Sequence, residues 1–178
     1  MSRPVPPKPA KLVIGLFTRH IDLAQPIVKQ LNAMFGPIEL ISSWLEFNWT
    51  DYYAPEMGSG LRRRMIAFTP LIRQESLPDI KHQTNALEAE YTQSGNRRIN
   101  IDPGYLLAER FVLATGKNFT HRIYIGKNIY ADLTLIYQNG KFTALPWTYP
   151  DYMDNNMHFF LTRVRNKYLK DLKAGGFL

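Results

Sequence analysis

Residues 97–102 read Arg97-Arg98-Ile99-Asn100-Ile101-Asp102 and are followed at once by Pro103-Gly104-Tyr105. Polar and apolar residues alternate through the first six, which is the period of a half-buried strand with Ile99 and Ile101 turned inward. Pro103-Gly104 predicts that this strand breaks there. The alternation also gathers Arg98, Asn100 and Asp102 on the opposite face, where a fold has no need of them.

Upstream, Ile80, Thr84, Leu87 and Tyr91 recur at helical spacing as far as Gly95, with Ser76 and Asp79 resembling a capping box. Residues 62–72 and 38–47 read as strands, and residues 12–17 as a buried one. Between these last two, Asp22 and Gln25 resemble a second capping box. Val28, Leu31 and Phe35 mark the buried stripe of its helix, which Gly36-Pro37 ends. The order strand, helix, strand, strand, helix, strand predicts an α+β fold with a ferredoxin-like split βαβ core, an antiparallel sheet with helices on one face.

Downstream, residues 121–126, 129–138 and 141–145 add strands, the last two joined by Asn139-Gly140, a two-residue hairpin signal. A helix over 152–173, capped by Asp151 and buried through Met157, Phe160, Val164 and Tyr168, closes the chain. The core is thus extended by a C-terminal β-hairpin and helix. Residues 1–10, with four prolines, predict a flexible lead-in, and residues 11–178 a single domain. The long connection Asn48–Gly60 reads as a binding loop or lid.

The chain has 178 residues, 45% hydrophobic and 21% charged, and no cysteine. Such a composition folds around its own core, and the missing thiols remove disulfides, thiolate metal sites and cysteine nucleophiles together. A reducing, cytoplasmic setting is expected. No stretch approaches the roughly 20 apolar residues that span a bilayer, so no membrane partner is expected. The formal charge of +7 suits nucleic acid or phosphorylated ligands, provided the cations gather in one place.

Several polar constellations qualify as candidate sites. A carboxylate beside a guanidinium and an amide, as in Asp102, Arg98 and Asn100, can bind a phosphate or a metal-bound water. Alternatively, Asp102 closes its own turn with Arg98 as ion partner. Lys81, Asn85 and Glu88 form one helical stripe, either lining a pocket or simply solvated. Lys117 with His121 and Arg122 brings two cations and an imidazole to a loop and strand start, suiting a phosphoryl group. Asp132 faces the less apolar side of its strand and is expected near Arg122 as a cross-strand ion pair, worth little if exposed. Asp51, Tyr53 and Glu56 combine carboxylates with aromatic faces in the long loop. Arg62 to Arg64, and Arg163, Lys167 and Lys170 on the last helix, supply the basic surface a nucleic acid would need.

Motif tests exclude more than they admit. There is no G-x-x-x-x-G-K-S/T phosphate loop, no H-E-x-x-H, no C-x-x-C and no G-x-S-x-G. Four scattered histidines without cysteine do not make a zinc site, while Asp and Glu could hold Mg²⁺ or Ca²⁺.

Taken together, WTDYYAPEMGSGL (49–61), KHQTNALE (81–88), RRINIDPGYL (97–106), HRIYIGKNIYADLTL (121–135) and PWTYPDY (146–152) resemble the successive motifs of an uncharacterised bacterial family, domain of unknown function 4416. The resemblance runs from about Leu12 to Leu169. It implies no activity, but it marks Asp51, Tyr53, Glu56, Asn85, Glu88, Asn100, Asp102, Tyr105, His121, Arg122 and Asp151 as motif members. Some relatives carry a GTP-binding label, which the missing phosphate loop does not support.

Three functions are therefore expected in competition. The first is a domain binding a nucleotide or other phosphorylated small molecule through Arg98, Asp102, His121 and Arg122. The second is a nucleic-acid or protein-binding module without catalysis. The third is divalent-metal-dependent hydrolysis, which requires Asp51, Glu56, Glu88 and Asp102 to converge.

Overall fold

The buried strand predicted at 12–17 is present and is longer than its apolar run. In the computed structural model, which describes residues 3–47 and 53–177, it runs Ala10–Thr18 as β1, and every residue of it is buried. A strand buried on both faces must lie inside a sheet covered on both sides. β1 does so, pairing antiparallel with two partners.

The remaining elements are α1 (Ala24–Phe35), β2 (Ile38–Ile41), β3 (Leu45–Glu46), α2 (Ala54–Met57), β4 (Arg62–Ile72), α3 (Leu77–Glu90), β5 (Thr92–Gln93), β6 (Asn96–Arg97), β7 (Asn100–Leu106), β8 (Arg110–Thr115), β9 (Arg122–Gly126), β10 (Ile129–Gln138), β11 (Lys141–Ala144) and α4 (Asn155–Ala174). Nine strands form one antiparallel sheet with the order β11-β10-β8-β7-β1-β4-β2; β3 also pairs with β4, and β9 with β10. β5 and β6 form a separate small hairpin. Residues 3–9 carry no regular structure, although the Pro9 carbonyl accepts the Tyr168 hydroxyl at 2.8 Å.

The period of two along β1 sorts the core into two layers. Leu12, Ile14 and Leu16 meet Ile27 and Leu31 of α1, Ile80 and Leu87 of α3, and Ile99 and Ile101. Val13, on the other face, joins Met65 and Ala67 of β4 under Met157, Phe160, Leu161, Val164 and Tyr168 of α4. Helices therefore cover both faces of the sheet, α1 and α3 on one and α4 on the other, rather than one face. Lys11 is wholly buried, and its ammonium lies 2.7 Å from both Glu39 and Asp171, which ties α4 to the sheet.

Local details depart from the expected caps. α1 is entered through a 3₁₀ turn, Ile21–Leu23, without a side-chain cap, so Asp22 and Gln25 form no capping box. Ser76 donates to the Arg73 carbonyl instead of capping α3. The last helix begins at Asn155, and its cap is Asp154, whose Oδ1 accepts from the backbone of Asn156 and Met157. Asp151 instead sits buried in a preceding 3₁₀ turn, Pro150–Met153.

Two strand expectations also change. β7 does not break at Pro103-Gly104 but continues to Leu106, and β8, which has no forecast in the sequence, lies beside its end. Asn139 and Gly140 both have positive φ, as the tight hairpin between β10 and β11 requires. A register shift between Leu133 and Leu135 ends the simple alternation of β10, and Leu135 joins the α4 layer. Among the described residues no helix is long and apolar enough to cross a membrane.

Candidate functional site

β7 is paired to β1 along its whole length, but to β8 only from Gly104 to Leu106. Past Leu113, β8 stays with β10 through Ala114 and Thr115, and so parts from β7. The separation would leave one edge of β7 with unpaired backbone groups, at a cost of about 1–3 kcal/mol for each one buried. Two side chains of α3 fill the missing ladder: Glu88 Oε1 accepts the Ile101 N–H at 2.7 Å, and Lys81 Nζ donates to the Ile101 carbonyl at 2.9 Å. Backbone groups alternate in direction along a strand, so position 103 also faces this gap, where proline has no N–H to leave unpaired. Next to it the chains close tightly. A Cβ on Gly104 would overlap the Val112 carbonyl oxygen, which requires glycine there.

The parting strands open a cleft of about 500 Å³, reached by α3, by the loop after β8 and by the 3₁₀ turn before α4. Its floor lies on the α4 side of β1. Gly15 stands between Met65 and Asp102 in the register, and the Tyr152 hydroxyl lies over it, 3.8 Å from where a Cβ would be. Arg63 is 5% exposed, and its guanidinium carbon lies within 5.1 Å of the Phe17, Phe47 and Tyr152 ring centres. It donates to Asp151 and lies 3.9 Å from Asp102. Burial alone would lower the Arg63 pKa, but the Asp151 and Asp102 carboxylates oppose this and the pKa is raised, so the group stays cationic. Burial raises the Asp151 pKa above the ordinary carboxylate value, against the pull of Arg63. Burial likewise keeps the Tyr152 phenol protonated.

Each wall is an ion-pair system of its own. Arg97 makes a two-pronged contact with Glu56, both bonds 2.7 Å, and donates to Asn100 Oδ1 at 2.8 Å. The hydrogen bond from Arg97 lowers the Glu56 pKa, while burial raises that of Glu88. Across the cleft, Arg122 stands opposite Asp132 in the β9–β10 register, with Nε 2.9 Å from Oδ2. Both side chains of this pair are buried, and His121 also binds Asp132, at 3.1 Å, and stacks on Trp147 at 5.0 Å.

Eight of the thirteen sequence candidates line the cleft: Tyr53, Asn85, Glu88, Asn100 and Asp102, with Lys117, Arg122 and Asp151. Glu56 acts one step away, holding Arg97, and His121 stands behind Arg122 through their shared Asp132. Arg98 turns elsewhere, its guanidinium 3.3 Å from His20, and does not pair with Asp102. Asp102 is mid-strand and closes no turn. Tyr105 packs near Leu77 and Val112 and is half-buried. Asp51 lies outside the described residues. The Lys81–Glu88 stripe is not solvated, both side chains being buried against β7, although Asn85 is exposed.

Sequence reasoning missed Arg63 and Tyr152. The signal for Arg63 was its spacing of two from Met65 and Ala67, which puts it on their buried face. Its burial also removes it from the basic surface, while Lys167 is occupied by Glu39 and Asp171. Among the described residues no three Asp, Glu or His side chains come together as metal ligands. Glu56, Glu88 and Asp102 each face cations instead.

Fold and cleft together define a mixed α+β protein whose large antiparallel sheet splits between the central strands β7 and β8 around a charged cavity. The chain belongs to the family described as Domain of unknown function (DUF4416), whose model matches residues 8–168. No curated protein and no solved structure matches it.

Proposed function

We propose that the chain is a small-molecule-binding domain whose cleft between β7 and β8 takes a phosphorylated ligand such as a nucleotide or sugar phosphate. The observation that carries this reading is convergence. Five cations (Arg63, Lys81, Arg97, Lys117 and Arg122), against four carboxylates (Glu88, Asp102, Asp132 and Asp151), line one cleft. Most of the cations are fixed by partners, so the site is pre-organised and little side-chain ordering remains to oppose binding. Lys117 and Arg122, beside Gly116, supply the anion-facing side, since charge-assisted hydrogen bonds to phosphate are the strong ones.

The strand order β7-β1-β4-β2, all antiparallel with α1 and α3 on one face, supports reading the inner sheet as a ferredoxin-like core. The cysteine-free composition supports a reducing, cytoplasmic setting. A thermal-shift screen over nucleotides, sugar phosphates, RNA and divalent metals tests the assignment. Stabilisation by a phosphorylated small molecule, weakened about tenfold or more in affinity by Lys117→Ala, is expected. Stabilisation by RNA alone, or by none of these, contradicts it.

A further inference from the structure

Two polar atoms at the cleft floor are deeply buried and, among the described residues, have no hydrogen-bond partner: Asn100 Nδ2 and the Tyr152 hydroxyl. Asn100 is 4% exposed and Tyr152 2%. The Asn100 amide cannot be reversed to satisfy itself. Its Oδ1 accepts from Arg97 at 2.8 Å, and a guanidinium has nothing to offer an amide N–H. The Asp102 carboxylate lines the same cleft, and its ion partners Lys81 (3.8 Å) and Arg63 (3.9 Å) stand beyond hydrogen-bond length. Asn100 and Asp102 share a strand face two residues apart, and the Tyr152 hydroxyl sits over Gly15, the register partner of Asp102.

An amide donor, a phenol that donates or accepts, and a carboxylate that only accepts make a poor seat for phosphate, because Asp102 repels it. They suit hydroxyl groups, each of which donates to the carboxylate while accepting from the amide or phenol. We infer that the cleft floor formed by Asn100, Asp102 and Tyr152 reads neighbouring hydroxyls of the ligand, so that the ligand class is a sugar phosphate with its phosphate toward Lys117 and Arg122. The phosphate half of this statement rests on the proposed function, but the hydroxyl half does not. A site built to bond a hydroxyl discriminates strongly against the analogue lacking it, since its buried groups are left unpaired.

Calorimetric titration of the full chain with ribose 5-phosphate and glucose 6-phosphate, each beside its deoxy analogues, the unphosphorylated sugar and inorganic phosphate, separates the two halves. The expected result is binding of at least one sugar phosphate with about tenfold or greater loss for a deoxy analogue. Tyr152→Phe, which deletes only an unpartnered hydroxyl, should fold with undiminished stability and lose much of that discrimination. Sugar phosphates binding no better than their deoxy analogues or inorganic phosphate overturns the hydroxyl reading and leaves the phosphate reading standing. Unphosphorylated sugars binding as well as their phosphates, with discrimination intact, overturns the phosphate reading alone. No binding by any member overturns both.

Discussion

Glu88 accepts the backbone N–H of Ile101 at 2.7 Å, from a helix thirteen residues upstream, where an adjacent strand would otherwise bond. The contact holds the open edge of β7 in strand geometry without closing the cleft. Glu88→Ala leaves that buried N–H unpaired and is expected to cost about 1–3 kcal/mol in urea unfolding. Glu88→Gln retains an acceptor oxygen and should cost less.

The acidic limb of the stability curve should carry two contributions of opposite sign. The Glu88 pKa is raised by burial, so its contribution is complete below the ordinary 4.5 and is lost as pH rises through the raised value. The Glu56 pKa is lowered by the Arg97 hydrogen bond, so its contribution is present above 4.5 and is lost as pH falls through the lowered value. Urea unfolding across this range checks both signs. Relative to Glu88→Gln, the wild type should lose advantage with rising pH. Relative to Glu56→Gln, it should lose advantage with falling pH.

Arg63 and Asp151 are 88 residues apart in sequence and form the buried ion pair at the cleft floor. Asp151→Ala strands a guanidinium that is 5% exposed, with Asp102 only 3.9 Å away to compensate. A loss of about 3–5 kcal/mol is expected by chemical denaturation. The double variant Arg63→Met/Asp151→Ala should cost clearly less than the sum of its two single changes, because neither charge is then left alone.

Asp154 caps α4, and Asp154→Ala should lower stability by about 0.5–2 kcal/mol, the usual cost of an N-cap loss. Thermal unfolding checks this. Nucleotide or sugar phosphate affinity should be unchanged in this variant, since Asp154 does not line the cleft.

Legibility in the sequence followed the range of each interaction. The helical stripes of α3 and α4 and the Asn139-Gly140 hairpin are local patterns, and each marks a real element, whereas the alternation at 97–102 catches β7 only from Asn100, since Arg97 belongs to β6 and Arg98 and Ile99 lie in neither strand. The nearness of Arg122 to Asp132 could be read from the short connection between their strands, but the register that puts them opposite each other depends on an irregularity between Ile129 and Tyr130 that no local pattern announces. Asp151 was mistaken for Asp154 because both precede the same apolar stripe, and only backbone geometry tells the cap from its neighbour. β8 carries no alternation, since Phe111, Val112, Leu113 and Ala114 are all buried. The remaining misses are long-range. Whether the Lys81–Glu88 stripe meets water or a strand edge depends on where β8 leaves β7, and Arg63 acquires its meaning only from Asp151 and Tyr152.

The most direct measurement is an NMR titration of ¹⁵N-labelled protein with the best-binding sugar phosphate from the calorimetric series. Shifts concentrated at Asn100–Asp102, the Asn100 side-chain amide, Gly116-Lys117 and residues 149–152 are the predicted result. Shifts confined to Arg163, Lys167 and Lys170 on α4, or none at saturating ligand, would contradict the assignment of the cleft as the binding site.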